Sequence, residues 1–269
     1  MIAGKEKAIF STHTRPTYVR NVDCWAYGLD LTAISPWNSG GGFGIRGGTL
    51  ISPRHIIFAA HWADIFSVDE TLEFVTQDND VITRTISARS LYPTYATLSY
   101  PDIGVALLDE DVPSSITFVK VLPDDWEDYF PVPAVPPGYS IFESYDVLRM
   151  LRIPLLITDQ EEKALVLNTT TFGDRYLYPA PPAEPQATIY WEAPGDDARL
   201  LYYEAIVGGD SSSPVCMIIN DELVLLATVG ASSSGSSCTH FKDGINTLMT
   251  DLGGDYQLTE IDLSGFQKV

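Results

Sequence analysis

Short apolar or alternating runs, separated by turn residues, dominate the chain, and helical periodicity is rare. Runs of this kind, bounded by Gly, Pro, Asn and Asp, are typical of β-strands. In the first half the predicted strands are CWAYGLDLTAI, FGIRGGTLIS, HIIFAAH, TLEFVTQ, VITRTISARSLY and IGVALLD. In the second half they are YSIFESY, LRIPLLIT, KALVLN, ATIYWEA, RLLYYEAIV, PVCMII and LVLLATVG. The pattern predicts an all-β protein.

Turn residues predict how some of these strands are joined. Pro53 fixes φ in the turn ISPRH, and Asn220-Asp221 supplies the turn of the last hairpin. A Pro- and acid-rich stretch at 109–138 is predicted to connect two halves of the chain. Two further stretches are predicted to be surface loops, the proline-dense YPAPPAEP at 178–185 and the flexible SSSGSS at 232–237.

One segment near the end of the chain has helical periodicity. Its apolar residues fall on one face of a 3.6-residue period, and these are Phe241, Ile245, Leu248, Met249 and Leu252. Because Gly253-Gly254 ends the pattern, we predict a helix over about 240–252. Two six-stranded antiparallel barrels followed by this helix fit the whole pattern, and strand spacing alone fits a sandwich equally well.

Composition narrows the possible partners. The chain has 269 residues, with 36 acidic and 16 basic ones, and a formal net charge of −20. That charge repels phosphate backbones and anionic lipids, so neither nucleic acid nor a membrane surface is an expected partner. No stretch approaches the ~20 apolar residues of a membrane-spanning helix. The first residues, MIAGKEKAIFSTHTRP, lack the apolar centre of a signal peptide.

The three cysteines, Cys24, Cys216 and Cys238, are too few for a disulfide framework. A Cys216–Cys238 bond is compatible with their places beside the last hairpin, but we predict free thiols. Free thiols and the missing signal peptide favour a reducing, cytoplasmic location, or secretion if a signal has been removed.

Three polar residues stand in contexts that favour nucleophilic catalysis. His61 ends the segment GGTLISPRHIIFAAHWA, in which His55 occupies the turn and is interpreted as a bystander. Asp102 precedes an apolar run in YPDIGVALLDEDVP, and Ser211 lies in GGDSSSP. Each alone has an ordinary interpretation, as a surface histidine, a turn aspartate or a Gly/Ser-rich turn. Together they offer a hydroxyl, an imidazole that can remove its proton, and a carboxylate that can orient the imidazole.

These segments, in the order His61, Asp102 and Ser211, resemble the trypsin- and chymotrypsin-like serine proteases, most clearly over 45–110 and 199–230. The resemblance implies two six-stranded Greek-key barrels, with His61 and Asp102 in residues 1–120 and Ser211 and the C-terminal helix in residues 121–269. It also implies a serine endopeptidase that acts on protein or peptide substrates through an acyl-enzyme. This chemistry requires neither a metal nor a cofactor.

The stretch AIVGGDSSSPV contains two patterns of that family. IVGG, beginning at Ile206, resembles the N-terminus exposed by activation cleavage, but a cut there would sever the chain beside Ser211. We therefore interpret Ile206 and Val207 as the end of a strand that enters the loop of Ser211. The resemblance is closer to bacterial members that need no activation cleavage. Asp210 is accordingly predicted to accept hydrogen bonds from within the folded chain.

The resemblance assigns an oxyanion hole to the N–H groups of Gly209 and Ser211. Ser212 and Ser213 replace glycines of the family, and each would cost roughly 1–2 kcal/mol if its position requires positive φ. The main alternative to an enzyme is a protease-like binding module in which these two serines close the oxyanion hole. A structural or assembly protein on the same fold has no supporting motif.

A substrate pocket is also implied by the resemblance. Ala205 is predicted at the pocket base, which indicates an uncharged, apolar P1 residue. Thr228, Val229 and Gly230 are predicted to bind the substrate backbone by strand addition, with Gly230 leaving the pocket mouth open. An alignment shifted by one residue would place Glu204 at the base and favour Lys or Arg instead.

Overall fold

A computed structural model describes residues 4–37, 47–129, 153–171, 187–195 and 197–269. The first strands are β1 (Phe10–Thr14), β2 (Thr17–Arg20), β3 (Thr49–Leu50), β4 (His55–Phe58), β5 (Thr71–Val75), β6 (Val81–Leu91) and β7 (Gly104–Leu108). The later strands are β8 (Pro154–Thr158), β9 (Ala164–Thr171), β10 (Thr188–Glu192), β11 (Pro214–Ile219), β12 (Glu222–Thr228) and β13 (Ser234–Ser236). The helices are α1 (Tyr95–Leu98), α2 (Asp197–Leu200) and α3 (Lys242–Leu252), with 3-10 turns at Ala60–Trp62 and Trp126–Tyr129.

The described strands form three antiparallel sheets, which confirms the predicted all-β class. β1 and β2 make a two-stranded sheet. A five-stranded sheet has the order β3-β4-β7-β6-β5, and we call it the first sheet. A six-stranded sheet has the order β12-β11-β8-β9-β10-β13, and we call it the second sheet. The two larger sheets are half-barrels. Within the described residues the first sheet thus has one strand fewer than predicted.

Both predicted hairpins are present. β3 pairs with β4 across the turn of Pro53, with Thr49 opposite Ile57. β11 pairs with β12 through Asn220 and Asp221, whose φ values are 52° and 64°. Left-handed values at both central residues match the type I′ turn, which suits the twist of antiparallel strands and tolerates Asn and Asp.

Three local predictions are wrong, and contacts within the chain explain two of them directly. CWAYGLDLTAI forms turns, in which the Asp30 carboxylate accepts hydrogen bonds from the N–H and the hydroxyl of Thr32. RLLYYEAIV begins with the end of α2 and then continues without a strand. SSSGSS contains β13 rather than a flexible loop, because Gly235 lets this segment lie directly against the Thr228 carbonyl. A Cβ at Gly235 would fall 2.0 Å from that oxygen.

The predicted C-terminal helix is confirmed as α3, and it packs against β6 and β7 of the first sheet. Phe241, just before α3, makes edge-to-face ring contacts with Tyr92 and Tyr100. A helix from the end of the chain therefore closes the core of the first sheet. The predicted boundary at residue 120 divides the strands of the first sheet from those of the second. It does not divide the chain into two independently packed halves, because α3 from the second half packs on the first sheet.

Several predicted features lie outside the described residues. These are the strand YSIFESY, the start of FGIRGGTLIS at 43–46, the loop at 178–185 and part of the connection at 109–138. In the part of the chain that is described, no helix has the length and apolarity needed to cross a membrane. Cys24, Cys216 and Cys238 are all buried, and the structure joins none of them in a disulfide.

Candidate active site

His61 follows an apolar strand that anchors it. All four residues of β4 are buried, and Ala59 and Ala60, also buried, lead into the 3-10 turn that contains His61. Because both alanines are small, the backbone can pass from the buried strand to the surface over these two residues. The imidazole that follows is 33% exposed, so it reaches solvent from a rigid support.

Asp102 lies at the same end of the first sheet as His61. It immediately precedes Ile103 and β7, and β7 pairs with β4 so that Gly104 is opposite Phe58. The N–H of Asp102 donates to the Ser236 hydroxyl, 2.9 Å away. Pairing of the two strands therefore brings a carboxylate and an imidazole together although 41 positions separate them in sequence.

The carboxylate of Asp102 binds His61 at two points. Its Oδ1 accepts a hydrogen bond of 2.8 Å from the His61 backbone N–H, and its Oδ2 lies 2.6 Å from His61 Nδ1. An ionised carboxylate can only accept hydrogen bonds, so this contact places the ring proton on Nδ1. Neutral His61 then presents the lone pair of Nε2 to its other neighbour.

That other neighbour is Ser211, whose Oγ lies 2.8 Å from His61 Nε2. Ser211 comes from the loop of residues 207–213, here called the Ser211 loop, which leads into β11 of the second sheet. The three residues singled out from the sequence are thus brought together in one hydrogen-bonded row. Its order, carboxylate, imidazole and hydroxyl, is the one that proton removal from a serine requires.

Asp210 is buried within the Ser211 loop, and its carboxylate is held by backbone donors. Oδ2 accepts a hydrogen bond of 2.7 Å from the Val207 N–H, and Oδ1 accepts one of 3.1 Å from the Gln160 N–H. The predicted hydrogen bonds from within the folded chain are therefore confirmed. The bond to Val207 also explains why residues 206 and 207 do not form the predicted strand, since the loop itself uses this N–H.

Gly209 occupies a conformation that favours glycine, with φ of 109°. A Cβ there would lie 2.6 Å from the side-chain amide of Gln160, which packs directly on this glycine. Gln160 also donates from Nε2 to the Gly208 carbonyl at 3.2 Å. One side chain from the turn after β8 therefore contacts the backbone of the predicted oxyanion loop.

Ser212 and Ser213 are both fully buried, so neither side chain projects into the solvent beside His61. Ser212 has φ of 74°, and its hydroxyl accepts a hydrogen bond of 2.9 Å from the Ala59 N–H. The predicted backbone strain therefore applies to Ser212, whereas Ser213 is outside the positive-φ region. The Ser213 hydroxyl is buried with no hydrogen-bond partner among the described residues.

Thr228 and Val229, which are predicted to bind a substrate strand, lie against the Ser211 loop and the start of β11. Both residues are buried. The Val229 N–H donates to the Ser213 carbonyl, and the Val229 carbonyl accepts from the Ser212 N–H, each at 2.9 Å. The backbone groups of Val229 are therefore already used inside the chain.

Gly230, predicted to leave the mouth of a substrate pocket open, also lies against the triad. A Cβ on Gly230 would lie 2.9 Å from Asp102 Oδ2, the oxygen that contacts the His61 imidazole. Its N–H donates to the Ser234 carbonyl. The missing side chain thus leaves space for the Asp102 carboxylate, whose side chain is only 17% exposed.

The predicted pocket residues lie just before the Ser211 loop. Ala205 is exposed, which does not suit the closed base of a pocket, so the P1 preference inferred from it stays a prediction. Glu204 is engaged on both oxygens, with Oε1 2.5 Å from Lys7 Nζ and Oε2 2.7 Å from Lys163 Nζ. These ammonium groups hold the pKa of Glu204 below its usual range, Lys163 having the larger effect.

Three carboxylates of this region, from Asp159, Glu161 and Glu204, lie close enough together to share a cation. An ammonium group already pairs with two of the three. Lys163 Nζ lies 2.5 Å from Glu161 and 2.7 Å from Glu204. The cluster is therefore an ion-pair network between the turn at 159–163 and the chain entering the Ser211 loop.

Two buried acidic groups of the same turn have raised pKa values. Burial, with a contribution from the nearby Asp210 carboxylate, raises the pKa of Asp159 to about 6. Burial also raises the pKa of Glu162 to about 8, although its carboxylate accepts a hydrogen bond from the Trp37 N–H. Low dielectric surroundings disfavour the charged form of a carboxyl group in each case.

We predict that this turn makes the protein less stable as the pH rises. Between its ordinary pKa and about 8, Glu162 binds its proton more tightly in the folded chain than in the unfolded chain. The free energy of unfolding should therefore fall from about pH 5 to about pH 8. Glu162→Gln keeps an oxygen acceptor for Trp37 and removes the titrating group. In urea-unfolding experiments, the free energy of unfolding of this variant should therefore fall less steeply with pH. Glu161→Gln, at the exposed neighbour, is the control, and equal slopes for wild type and Glu162→Gln would contradict the prediction.

Sequence reasoning identified the three residues of the row but missed Gln160, Ser236 and the packing role of Gly230. Each of these missed residues, Gln160, Ser236 and Gly230, acts through a contact with a residue far away in the chain, such as that of Ser236 with Asp102. No local pattern indicates such a contact.

No model of a known protein family matches this sequence, and no curated protein sequence matches it.

Proposed function

We propose that this chain is a serine endopeptidase that cleaves peptide bonds through a triad of Ser211, His61 and Asp102. The observation that supports the proposal most strongly is the continuous row of contacts, 2.6 Å from Asp102 to His61 and 2.8 Å from His61 to Ser211. Each distance is that of a good hydrogen bond. A nucleophile, a base within reach of it and a group that orients the base form the minimal arrangement for acyl transfer.

The placement of the triad supports the family as well as the reaction. His61 and Asp102 extend from one end of the first sheet, and Ser211 extends from a loop of the second sheet. The proposal therefore includes the finer architecture, two Greek-key barrels of the trypsin-like kind with the active site between them. The antiparallel half-barrels and the chain order of the triad are consistent with it.

The mechanism follows from the directions of the hydrogen bonds. Ser211 Oγ attacks the substrate carbonyl while His61 Nε2 accepts its proton, and Asp102 stabilises the imidazolium that forms. The N–H groups of Gly209 and Ser211 stabilise the negative oxygen of the tetrahedral intermediate. His61 then gives its proton to the leaving amine. Water, activated by the same imidazole, hydrolyses the acyl-enzyme and frees Ser211.

The alternative of a non-catalytic binding module is less well supported. It requires Ser212 and Ser213 to close the oxyanion hole, whereas both side chains are buried and the Ser212 hydroxyl is directed at the Ala59 N–H. In addition, Asp210 is satisfied by Val207 and Gln160 within the chain, which supports a site that is formed without activation cleavage.

Cleavage of a peptide library tests the proposal and the substrate preference together. We expect internal cleavage after uncharged, apolar residues, because Glu204, the acidic side chain nearest the predicted pocket base in sequence, is already paired with Lys7 and Lys163. Ser211→Ala is the control for a contaminating protease. Cleavage mainly after Lys or Arg would contradict the predicted preference, and equal cleavage by Ser211→Ala would contradict the proposed function.

A further inference from the structure

Ser212 has a backbone conformation that is unfavourable for any residue with a side chain. Its φ is 74°, in the left-handed region, and the residue is fully buried. Outside glycine, asparagine and aspartate this conformation is uncommon, because Cβ crowds the following carbonyl. Such a conformation persists only where surrounding contacts hold it.

The contact that holds Ser212 reaches across to the first sheet. Its Oγ accepts a hydrogen bond of 2.9 Å from the N–H of Ala59, which lies one residue beyond β4 and two before His61. Its own N–H donates to the Val229 carbonyl at 2.9 Å, next to β12 of the second sheet. Ser212 therefore links the strand behind the Ser211 loop to the backbone that leads to the imidazole.

Two adjacent serines thus contact two nearby points on the histidine segment. Ser211 Oγ lies 2.8 Å from His61 Nε2, and Ser212 Oγ lies 2.9 Å from the Ala59 nitrogen. Asp102 orients the imidazole and is itself held by the Ser236 hydroxyl of β13, but neither contact fixes the backbone before His61 relative to the nucleophile loop. The contact of Ser212 with Ala59, two residues before His61, restricts movement of this backbone relative to Ser211.

We propose that Ser212 is a positioning residue whose hydroxyl fixes the His61 turn relative to Ser211. This inference rests on the proposed function. A glycine at this position would have the same backbone conformation without strain, but it could not accept the Ala59 hydrogen bond. The hydroxyl, rather than the shape of the backbone, is therefore the feature that aligns the base with the nucleophile.

The test compares Ser212→Ala, Ser212→Gly and Ser213→Ala in the full chain. Ser212→Ala removes the hydroxyl and keeps the strained Cβ, whereas Ser212→Gly removes both. Misalignment of a reacting pair lowers turnover far more than substrate binding, so kcat should fall by roughly ten- to hundredfold in both variants, with KM within about twofold. Ser213→Ala is the matched control, since its hydroxyl is equally buried and has no hydrogen-bond partner among the described residues. It should keep the wild-type kcat.

Urea unfolding of each variant separates positioning from a loss of folded protein. Ser212→Gly relieves the positive φ and should remain folded even if Ser212→Ala does not. A wild-type kcat in folded Ser212→Gly would overturn the inference, and so would a fall in kcat that matches the unfolded fraction. A loss in Ser212→Gly alone, with normal kcat in folded Ser212→Ala, would assign the effect to the backbone and also overturn it. A wild-type protein without activity would instead contradict the proposed function.

Discussion

Alanine at Ser211 or at His61 is expected to lower kcat by roughly four to six orders of magnitude. Without the Ser211 hydroxyl no acyl-enzyme forms, and without His61 Nε2 the hydroxyl keeps its proton. Because the two residues act as one unit, the double variant should be little slower than either single variant. Steady-state kinetics on a small ester or peptide substrate measures kcat for the two single variants and the double variant.

Matched variants show whether these losses are specific. His13→Ala removes an exposed histidine on β1, and Ser213→Ala removes a buried hydroxyl at the end of the Ser211 loop that has no hydrogen-bond partner among the described residues. Both should keep the wild-type kcat. Losses at Ser211 and His61 that simply multiply in the double variant would mean that the two residues do not act on the same step, which would contradict the triad.

Asp210→Asn is expected to lower kcat by roughly a hundredfold, because the Ser211 loop depends on two acceptors at this position. The carboxylate accepts from the N–H groups of Val207 and Gln160. An asparagine has one acceptor oxygen, and its amide group would face one of these donors and leave it buried without a partner. Asp221→Asn is the matched control, since Asp221 is exposed at a left-handed turn position that asparagine tolerates. An Asp210→Asn enzyme with normal kcat would show that Asp210 does not shape the site.

The same contacts predict how the enzyme responds to an N-terminal cut. The segment before β1 braces the turn that contains Gln160, since the Ile9 N–H donates to the Glu162 carbonyl and the Ala164 N–H donates to the Lys7 carbonyl, each at 2.8 Å. Trimming residues 1–9 by limited proteolysis should therefore lower kcat. Activity that appears only after such a cut would contradict a preformed site.

The sequence was sufficient to predict those residues whose role is indicated by their immediate neighbours in the chain. His61 comes shortly after the apolar strand β4, and Asp102 comes just before the apolar strand β7. The pairing of β4 with β7 then brings the two side chains together. The turn at Asn220 and Asp221 was equally readable, because both residues tolerate left-handed backbone.

Other features depend on contacts between distant residues, which no local pattern contains. β13 is built of serine and glycine, and its place is set by the close approach of Gly235 to Thr228. The strand predicted before residue 35 is replaced by turns because Asp30 bonds to Thr32. Gln160 reaches the Ser211 loop from the turn after β8, 50 residues earlier in the chain.

Reaction with a fluorophosphonate probe tests the central claim most directly, because such probes react by far the fastest with a serine that a neighbouring base activates within a formed site. The intact protein should be labelled once, and mass spectrometry of its peptides should place the adduct on Ser211. Labelling should be lost in Ser211→Ala and strongly slowed in His61→Ala. No labelling of the folded, intact protein, or an adduct on a residue other than Ser211, would contradict the proposed catalytic triad.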